Sequence, residues 1–246
     1  NSSFMKTIYL MLLAGLIFST AGAQSSFSGK ILDWDMGEAL IVKPDFMGNS
    51  NEPERQGLIN ADGSFNIPLV EISDFNTDEQ SDPEGQWSSR RLNLNEAFTC
   101  YSGDLQYENA AQPVANLSTM GVFELSDSSG RENIGFFMPV SSKEFASYFS
   151  SFGQENAVNG YTLDYYYVSQ PAKISGSCSI ESYVHSGENY IGTTHYELDL
   201  KPGWNLIKYE VVDLFTDKDG RAYAKDVKYA SLDALPSDAS FVFIKN

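Results

Sequence analysis

Carboxylates are the most abundant side chains in this sequence that could carry chemistry. Asp and Glu number 33, against 16 Lys and Arg and two His, so the formal charge is −17. Two carboxylates on either side of a glycosidic bond can hydrolyse it. With this many acids, close pairs arise by chance, and we find no phosphate-binding, serine-hydrolase or zinc-protease motif. A glycoside hydrolase-type enzyme is therefore only a second alternative, and the sequence favours a non-catalytic protein.

One acidic segment resembles a calcium loop. Asp213, Asp217 and Asp219 precede Gly220, and carboxylate oxygens at alternating positions are typical ligands of Ca²⁺. The segment lacks both the third acidic position and the bidentate Glu at the end of such a loop. A plain hairpin turn is the favoured interpretation, with Asp217 and Asp219 as the calcium candidates. We otherwise predict no metal and no cofactor.

The two cysteines, Cys100 and Cys178, are predicted to form a disulfide. Linking them would close a loop of roughly 80 residues, which the chain-entropy model values at about 4 kcal/mol. Two free thiols are the alternative. A catalytic thiolate would need a nearby base, and the histidines are only His185 and His195. We expect the bond to tie the segment that enters the C-terminal domain to that domain's own sheet.

Aromatic residues make up 13% of the chain and could form a binding platform. Trp34, Trp87, Tyr101 and Tyr107 are the candidates, because aromatic rings on a surface can stack on sugar rings. The opposing interpretation is that most of these rings belong to the core. A carbohydrate-binding module is therefore the first alternative function.

The N-terminal segment is typical of a secretory signal peptide. Lys6 is followed by the apolar run 8–18 and by the small residues of Ser19-Thr-Ala-Gly-Ala23, which predicts cleavage after Ala23. The run is shorter than the roughly 20 residues of a membrane anchor, so we expect no membrane span after cleavage. The protein is then secreted or periplasmic.

The charge limits the partners. Residues 1–23 contain Lys6 and no acid, so the mature chain is near −18, that is, −17 minus one. Nucleic acid requires a basic surface, so we expect no nucleic-acid partner. An acidic, solvated surface keeps an exported protein soluble. A glycan or another envelope protein remains as a possible partner.

Alternating side chains predict a mainly β fold. Residues 161–168 combine aromatic and β-branched side chains, which pack well in strands. Residues 196–200 alternate apolar with acidic side chains, as a half-buried strand does. Lys201-Pro-Gly203 forms a turn before a further strand over 204–210. We expect 196–210 to be a hairpin at the centre of a β domain.

The N-terminal part, 24–72, is predicted to contain strands joined by tight turns. Ala61-Asp-Gly63 between alternating apolar residues is a strong hairpin signal. The pattern resembles small exported prealbumin-like or carboxypeptidase-regulatory-like β-sandwich units. It is formed here by Gly29, Ile31, Trp34, Gly37, Glu38, Ala39, Gly57, Ile59, Ala61 to Phe65, Ile67 and Leu69. Leu200 to Asn205 resembles a motif of uncharacterised bacterial envelope proteins that carry such a unit. The resemblance implies a fold and brings no catalytic residues.

One helix is predicted, at about 142–152. Ser141 and Glu144 have the spacing of a capping box. Phe145, Tyr148, Phe149 and Phe152 follow at helical spacing on one apolar face, which we expect to pack inward.

The chain therefore divides into a signal peptide (1–23), a small N-terminal β-sandwich unit (24–72, with a boundary that could extend to about 97), a polar acidic linker (73–97) and a C-terminal β domain (98–246). The fold class is mainly β, with two antiparallel β-sandwich-like domains and one short amphipathic helix. The favoured function is that of a non-catalytic exported cell-envelope or secreted protein with a binding or structural role.

Overall fold

The computed structural model describes residues 25–43, 54–72 and 92–246. The predicted signal peptide, Trp87 and most of the predicted linker lie outside these ranges. The fold is mainly β, with 56% of the described residues in strands and 6% in helices, which confirms the predicted class. None of the helices in the described ranges is long and apolar enough to cross a lipid bilayer.

Fourteen strands and two helices make up the described part of the chain. The strands are β1 (Ser26–Lys30), β2 (Ala39–Lys43), β3 (Glu54–Ile59), β4 (Ser64–Pro68), β5 (Gln106–Glu108), β6 (Ala115–Asn116), β7 (Phe123–Asp127), β8 (Asn133–Val140), β9 (Gly160–Val168), β10 (Ala172–Tyr183), β11 (Asn189–Leu200), β12 (Gly203–Thr216), β13 (Ala222–Leu232) and β14 (Ser240–Lys245). The helices are α1 (Leu94–Ala97) and α2 (Lys143–Ser150).

The first half of the sheet contains β1–β4 together with three later strands. Its order is β1-β4-β3-β2-β7-β8, and β14 pairs with the other side of β8. A parallel bridge from Ile31 to Phe241 then brings the two ends of this half together. Segments on both sides of the predicted linker therefore complete one hydrogen-bonded layer.

The second half is formed by β9 and the strands beyond it. Its order is β9-β12-β13-β11-β10-β5, and one residue pair, Val140 with Thr162, links it to β8. Leu163 and Tyr165 of β9 lie in the same buried cluster as Phe27 and Phe137 of the first half. The two halves thus pack against each other in a sandwich-like arrangement.

The predicted hairpin over 196–210 is wrong. β11 and β12 follow each other in the chain, but β13 lies between them. β13 pairs antiparallel with β12 and parallel with β11. The turn at Lys201-Pro-Gly203 reverses the chain, as predicted, but a reversal does not require the flanking strands to pair.

Helix α2 differs from the prediction at both ends. Its N-cap is Ser142, whose side chain accepts a hydrogen bond from the Phe145 amide, rather than Ser141. Phe145 is fully buried. Phe152 is not part of the apolar face, because the helix ends at Ser150 and Phe152 has a positive φ of 51°. Its ring is 95% exposed.

The last residues of the predicted linker form a short helix that packs against the second half of the sheet. Helix α1 begins after Asn93, whose backbone N–H donates to the Glu96 carboxylate. Leu94 is fully buried in a cluster with Ile174, Leu198 and Ile207. These residues therefore belong to the packing of the C-terminal segment.

Candidate functional site

Trp34, one of the four predicted platform residues, belongs to the packing of the first half. Its ring is partly buried and lies edge-on to Phe243, with centroids 5.0 Å apart. Its Nε1–H donates to the Gly37 carbonyl at 2.7 Å. The Trp34 ring is therefore already packed against Phe243, and its N–H group is already hydrogen-bonded.

The two predicted tyrosines differ in exposure. Tyr107 packs against the cluster around Ile174, and its hydroxyl donates to the Phe98 carbonyl at 2.7 Å; burial raises its pKa. Tyr101 is 91% exposed. Of the three candidates within the described ranges, only Tyr101 presents its ring to solvent; Trp87 lies outside them.

Asp217 of the calcium candidates is used to hold its own turn. One carboxylate oxygen accepts from the amides of Asp219 and Arg221, at 3.0 and 2.9 Å, and the other accepts from the Tyr223 hydroxyl. Burial acts to raise the pKa of Asp217, but these amide hydrogen bonds outweigh it and the pKa is lowered. Within the described ranges, no three His, Cys, Asp or Glu side chains are grouped as metal ligands.

One pair of carboxylates meets across neighbouring strands. Asp213 of β12 is the register partner of Asp226 of β13. Asp213 is exposed and paired with Lys225 at 2.8 Å, and the hydrogen bond from Lys225 lowers its pKa. A glycosidase acid instead requires a raised pKa, so this pair lacks the electrostatics of a hydrolase site.

The predicted disulfide is present. It joins Cys100 to Cys178, whose Cα atoms are 5.7 Å apart, and it ties the segment after α1 to the middle of β10. Gly103 forms a bridge with Cys178, and Ser102 donates a hydrogen bond to the Ser179 carbonyl. The β10–β11 hairpin is therefore fixed on its outer side at Cys178, and we call this point the base of its outer part, 180–192.

The part of this hairpin beyond the disulfide presents apolar side chains to solvent. Their exposed fractions are 57% for Ile180, 77% for Tyr183 and 63% for Ile191. Ile191 lies opposite Glu181, on the face that also carries Tyr183, whereas Ile180 lies on the other face. With Tyr101, these side chains define what we call the hairpin surface. Tyr190 of β11 stacks on Phe215 of β12 at 4.7 Å and its hydroxyl donates to the Ala224 carbonyl, so this part of the hairpin is held by the β12–β13 hairpin as well as by the disulfide.

The outer edge of β10 is open along the hairpin surface. β5 covers residues 173–175, and Gly103 and Ser102 reach Cys178 and Ser179. No other strand of the described ranges pairs with this edge from Ile180 to Tyr183. An unpaired edge with apolar side chains is a template on which another strand can add.

A second candidate site lies inside the sheet, around Asp164 of β9. Thr162, Asp164 and Tyr166 alternate along β9 and so share one face. In the register with β12, Asp164 lies opposite Ile207 and Thr162 lies opposite Tyr209. Tyr209 in turn lies opposite Tyr229 of β13. The strands thereby bring one carboxylate and three tyrosines together.

Asp164 is only 5% exposed and is hydrogen-bonded through one oxygen alone. Its Oδ1 accepts from the amide and hydroxyl of Ser118, at 3.2 and 2.9 Å, and from its neighbour Tyr165's amide at 2.8 Å. Its Oδ2 is buried and accepts no hydrogen bond. Burial raises the pKa of Asp164 to about 7, although the Ser118 hydrogen bonds oppose the shift.

A small cavity adjoins Asp164. Its wall includes Met120, Thr162, Asp164, Tyr166, Tyr209 and Tyr229. The cavity volume is about 20 Å³, which is enough for one water molecule. Burial raises the pKa of the Tyr166, Tyr209 and Tyr229 phenols, so their hydroxyls are neutral near pH 7.

The turn over 118–121 contributes Met120 to the cavity wall and is hydrogen-bonded to Asp164 through Ser118. The Ser118 hydroxyl accepts from the Gly121 amide at 2.9 Å while it donates to Asp164. Gly121 has a positive φ of 80°, and a Cβ there would lie 2.4 Å from the Thr162 hydroxyl oxygen. Only glycine therefore lets this turn approach β9 so closely.

Asp164 is not part of any motif considered in the sequence analysis, but the sequence contains a signal for it. Asp164 is the one acid among the aromatic and apolar residues of 161–168, a strand that should be internal. A charged residue in a buried strand is costly unless it is paired or functional.

Comparison with known proteins gives no relative to guide the assignment. No protein-family model, no curated protein and no solved structure matches this chain.

Proposed function

We propose that this chain is a non-catalytic exported protein of the cell envelope that binds another envelope protein through the hairpin surface. The observation that carries the proposal is the open edge of β10 between Ile180 and Tyr183. A partner strand can pair with this edge through main-chain hydrogen bonds while its side chains cover Ile180 or Tyr183.

The proposal of export rests on two independent features. Structural disulfides persist mainly in oxidising compartments such as the periplasm or the extracellular space. This chain has such a disulfide, between Cys100 and Cys178. The basic, apolar and small-residue pattern of 1–23 is typical of a signal peptide. The resemblance of 24–72 to exported β-sandwich units agrees with this location.

A protein partner is favoured over a glycan by the positions of the rings. A sugar platform needs aromatic faces side by side. Tyr101 lies next to the disulfide at the base of the hairpin, whereas Tyr183 lies about 16 Å further along β10 from Cys178, at the usual rise of a strand. Trp34 and Tyr107 are engaged in the hydrophobic clusters.

Photo-cross-linking in cells of the source organism tests this function. A photoreactive phenylalanine analogue in place of Tyr183 should give a discrete covalent adduct with one envelope protein. The matched control carries the analogue at Val70, which is 64% exposed and lies near Trp204, whose Nε1–H donates to the Val70 carbonyl. That position is beside the β11–β12 turn, at the end of β11 remote from the hairpin tip.

Two results would contradict the proposal. Position 183 could give no adduct, or the same adducts as position 70, and either outcome would remove the hairpin surface as a protein-binding element. Binding to a glycan array that Tyr101→Ala abolishes would instead support the carbohydrate-binding alternative.

A further inference from the structure

The cavity beside Asp164 has features that point to a bound ligand. The proposed binding of a partner to the hairpin surface does not account for them. Asp164 is more than nine-tenths buried, and its Oδ2 has no hydrogen-bond partner. Buried carboxylates in folded proteins are ordinarily paired or fully hydrogen-bonded. A partner for this oxygen is therefore missing from the described residues.

The composition of the cavity wall selects the kind of partner. Asp164 is the one acid of the wall, and the other lining residues are three tyrosines together with Met120, Thr162, Leu163 and Ile207. Tyrosine rings attract cations through their π-electrons, and the carboxylate attracts a positive charge directly. Calcium sites usually combine several carboxylate and carbonyl oxygens, whereas this wall has a single carboxylate.

We propose that the cavity binds the protonated amino group of a small aliphatic amine, with Asp164 as its counter-ion and Tyr166, Tyr209 and Tyr229 as the aromatic wall. An ammonium group supplies N–H donors for Oδ2 while Ser118 and Tyr165 continue to occupy Oδ1. The space, which suits one water-sized group, excludes bulky quaternary amines. The strongly negative charge of the chain raises the local concentration of cations.

Titration with methylammonium chloride, followed by NMR of the tyrosine rings and of the Asp164 carboxyl carbon, tests this site. We expect saturable shifts of these signals. Affinity should rise about tenfold between about pH 6 and about pH 8, because the carboxyl group, with its pKa of about 7, must ionise to bind. Sodium chloride at equal ionic strength and methanol at equal concentration should cause no such shifts.

Variants separate the charge from the rings. Asp164→Asn keeps an acceptor for Ser118 and should weaken methylammonium binding by about tenfold or more. Tyr229→Phe should retain binding and Tyr229→Leu should reduce it, since the ring rather than the hydroxyl forms the wall. Asp213→Asn is the matched control, because this exposed acid is already paired with Lys225, and binding should be unchanged.

The opposite results would overturn the proposal. These are the absence of saturable shifts, equal shifts with sodium chloride, or equal affinity in the wild type and Asp164→Asn. Any of them would mean that the cavity holds at most a water molecule. Amide spectra of each variant establish that it is folded, so that a loss of binding reports on the site.

Discussion

Asp164 shows how one residue can depart from the pattern that surrounds it. Its strand is aromatic and buried, yet it carries a carboxyl group whose one oxygen is bonded to Ser118 and Tyr165 and whose other oxygen is unpartnered. Burial disfavours the ionised form and raises the pKa. The residue therefore makes the stability of the fold depend on pH.

The direction of this dependence follows from the two pKa values. In the unfolded chain the carboxyl group ionises near its ordinary value of 3.8, whereas in the fold it ionises near about 7. Stability from this group is complete below about pH 4 and is lost as the pH rises to about 7. The free energy of unfolding should fall by up to about 1.4 kcal/mol per pH unit in this window.

Urea unfolding of the wild type and Asp164→Asn at a series of pH values measures this effect. The difference between the two free energies isolates Asp164, because other acids, such as Asp62 with a pKa lowered to about 2 by hydrogen bonds from Ser64, contribute equally to both proteins. A difference that does not change between about pH 4 and about pH 7 would show that Asp164 keeps its ordinary pKa.

Residue-level predictions from the sequence succeeded where the chemistry leaves few options. Two cysteines in a chain with an export pattern have one disulfide to form, and Cys100 and Cys178 form it. The aromatic platform could not be predicted, since a tryptophan such as Trp34 has the same sequence signal whether it packs on Phe243 or faces solvent.

Among the elements, helix α2 shows the limits of periodicity. Helical spacing places Phe145, Phe149 and Phe152 on one face, and two of them pack as expected, with Phe145 and Phe149 stacked at 5.7 Å. Spacing does not say where a helix ends. The chain leaves the helix before Phe152, so the same pattern contains two packed rings and one exposed ring.

Alanine substitutions should reproduce this contrast. Phe145→Ala removes a fully buried ring and should lower the free energy of unfolding by about 3–5 kcal/mol. Phe152→Ala is the matched control and should change it by less than about 0.5 kcal/mol. Chemical denaturation measures both, and equal losses would show that the helix continues to Phe152.

The strand order illustrates a second limit of the sequence. Alternation identified the strands around 161–168, 196–200 and 204–210, but pairing partners depend on contacts far apart in the chain. The hairpin turn predicted at 213–220 implies a strand after it, and β13 is that strand, but Ala222–Leu232 mixes Lys, Asp and Tyr without a clean alternation that would identify it directly. Its insertion between β11 and β12 makes the sheet mixed rather than purely antiparallel.

At the scale of the molecule, the two halves share their packing. Phe27 of β1 contacts Phe123, Tyr165 and Phe241, with ring centroids 5.2–5.6 Å apart. Phe241 of β14 comes from the last strand of the chain. Composition and alternation predicted the mainly β class, whereas this joint core depends on long-range pairing that a single sequence does not encode locally.

This arrangement leaves the hairpin surface as the exposed end of a well-packed body. Tyr101, Ile180, Tyr183 and Ile191 remain exposed, while the disulfide fixes the base from which they extend. A few residues of an interface usually carry most of its binding energy. The central claim is therefore that these side chains and the edge of β10 bind the partner.

The affinity of the envelope protein captured through position 183 is the most direct measurement of that claim. The purified partner would be titrated against the wild type, the double variant Ile180→Ser/Ile191→Ser and the control Val70→Ser. We predict that the double variant binds at least about tenfold more weakly and that the control binds like the wild type. Equal affinity of all three proteins would contradict the assignment of the hairpin surface as the binding element.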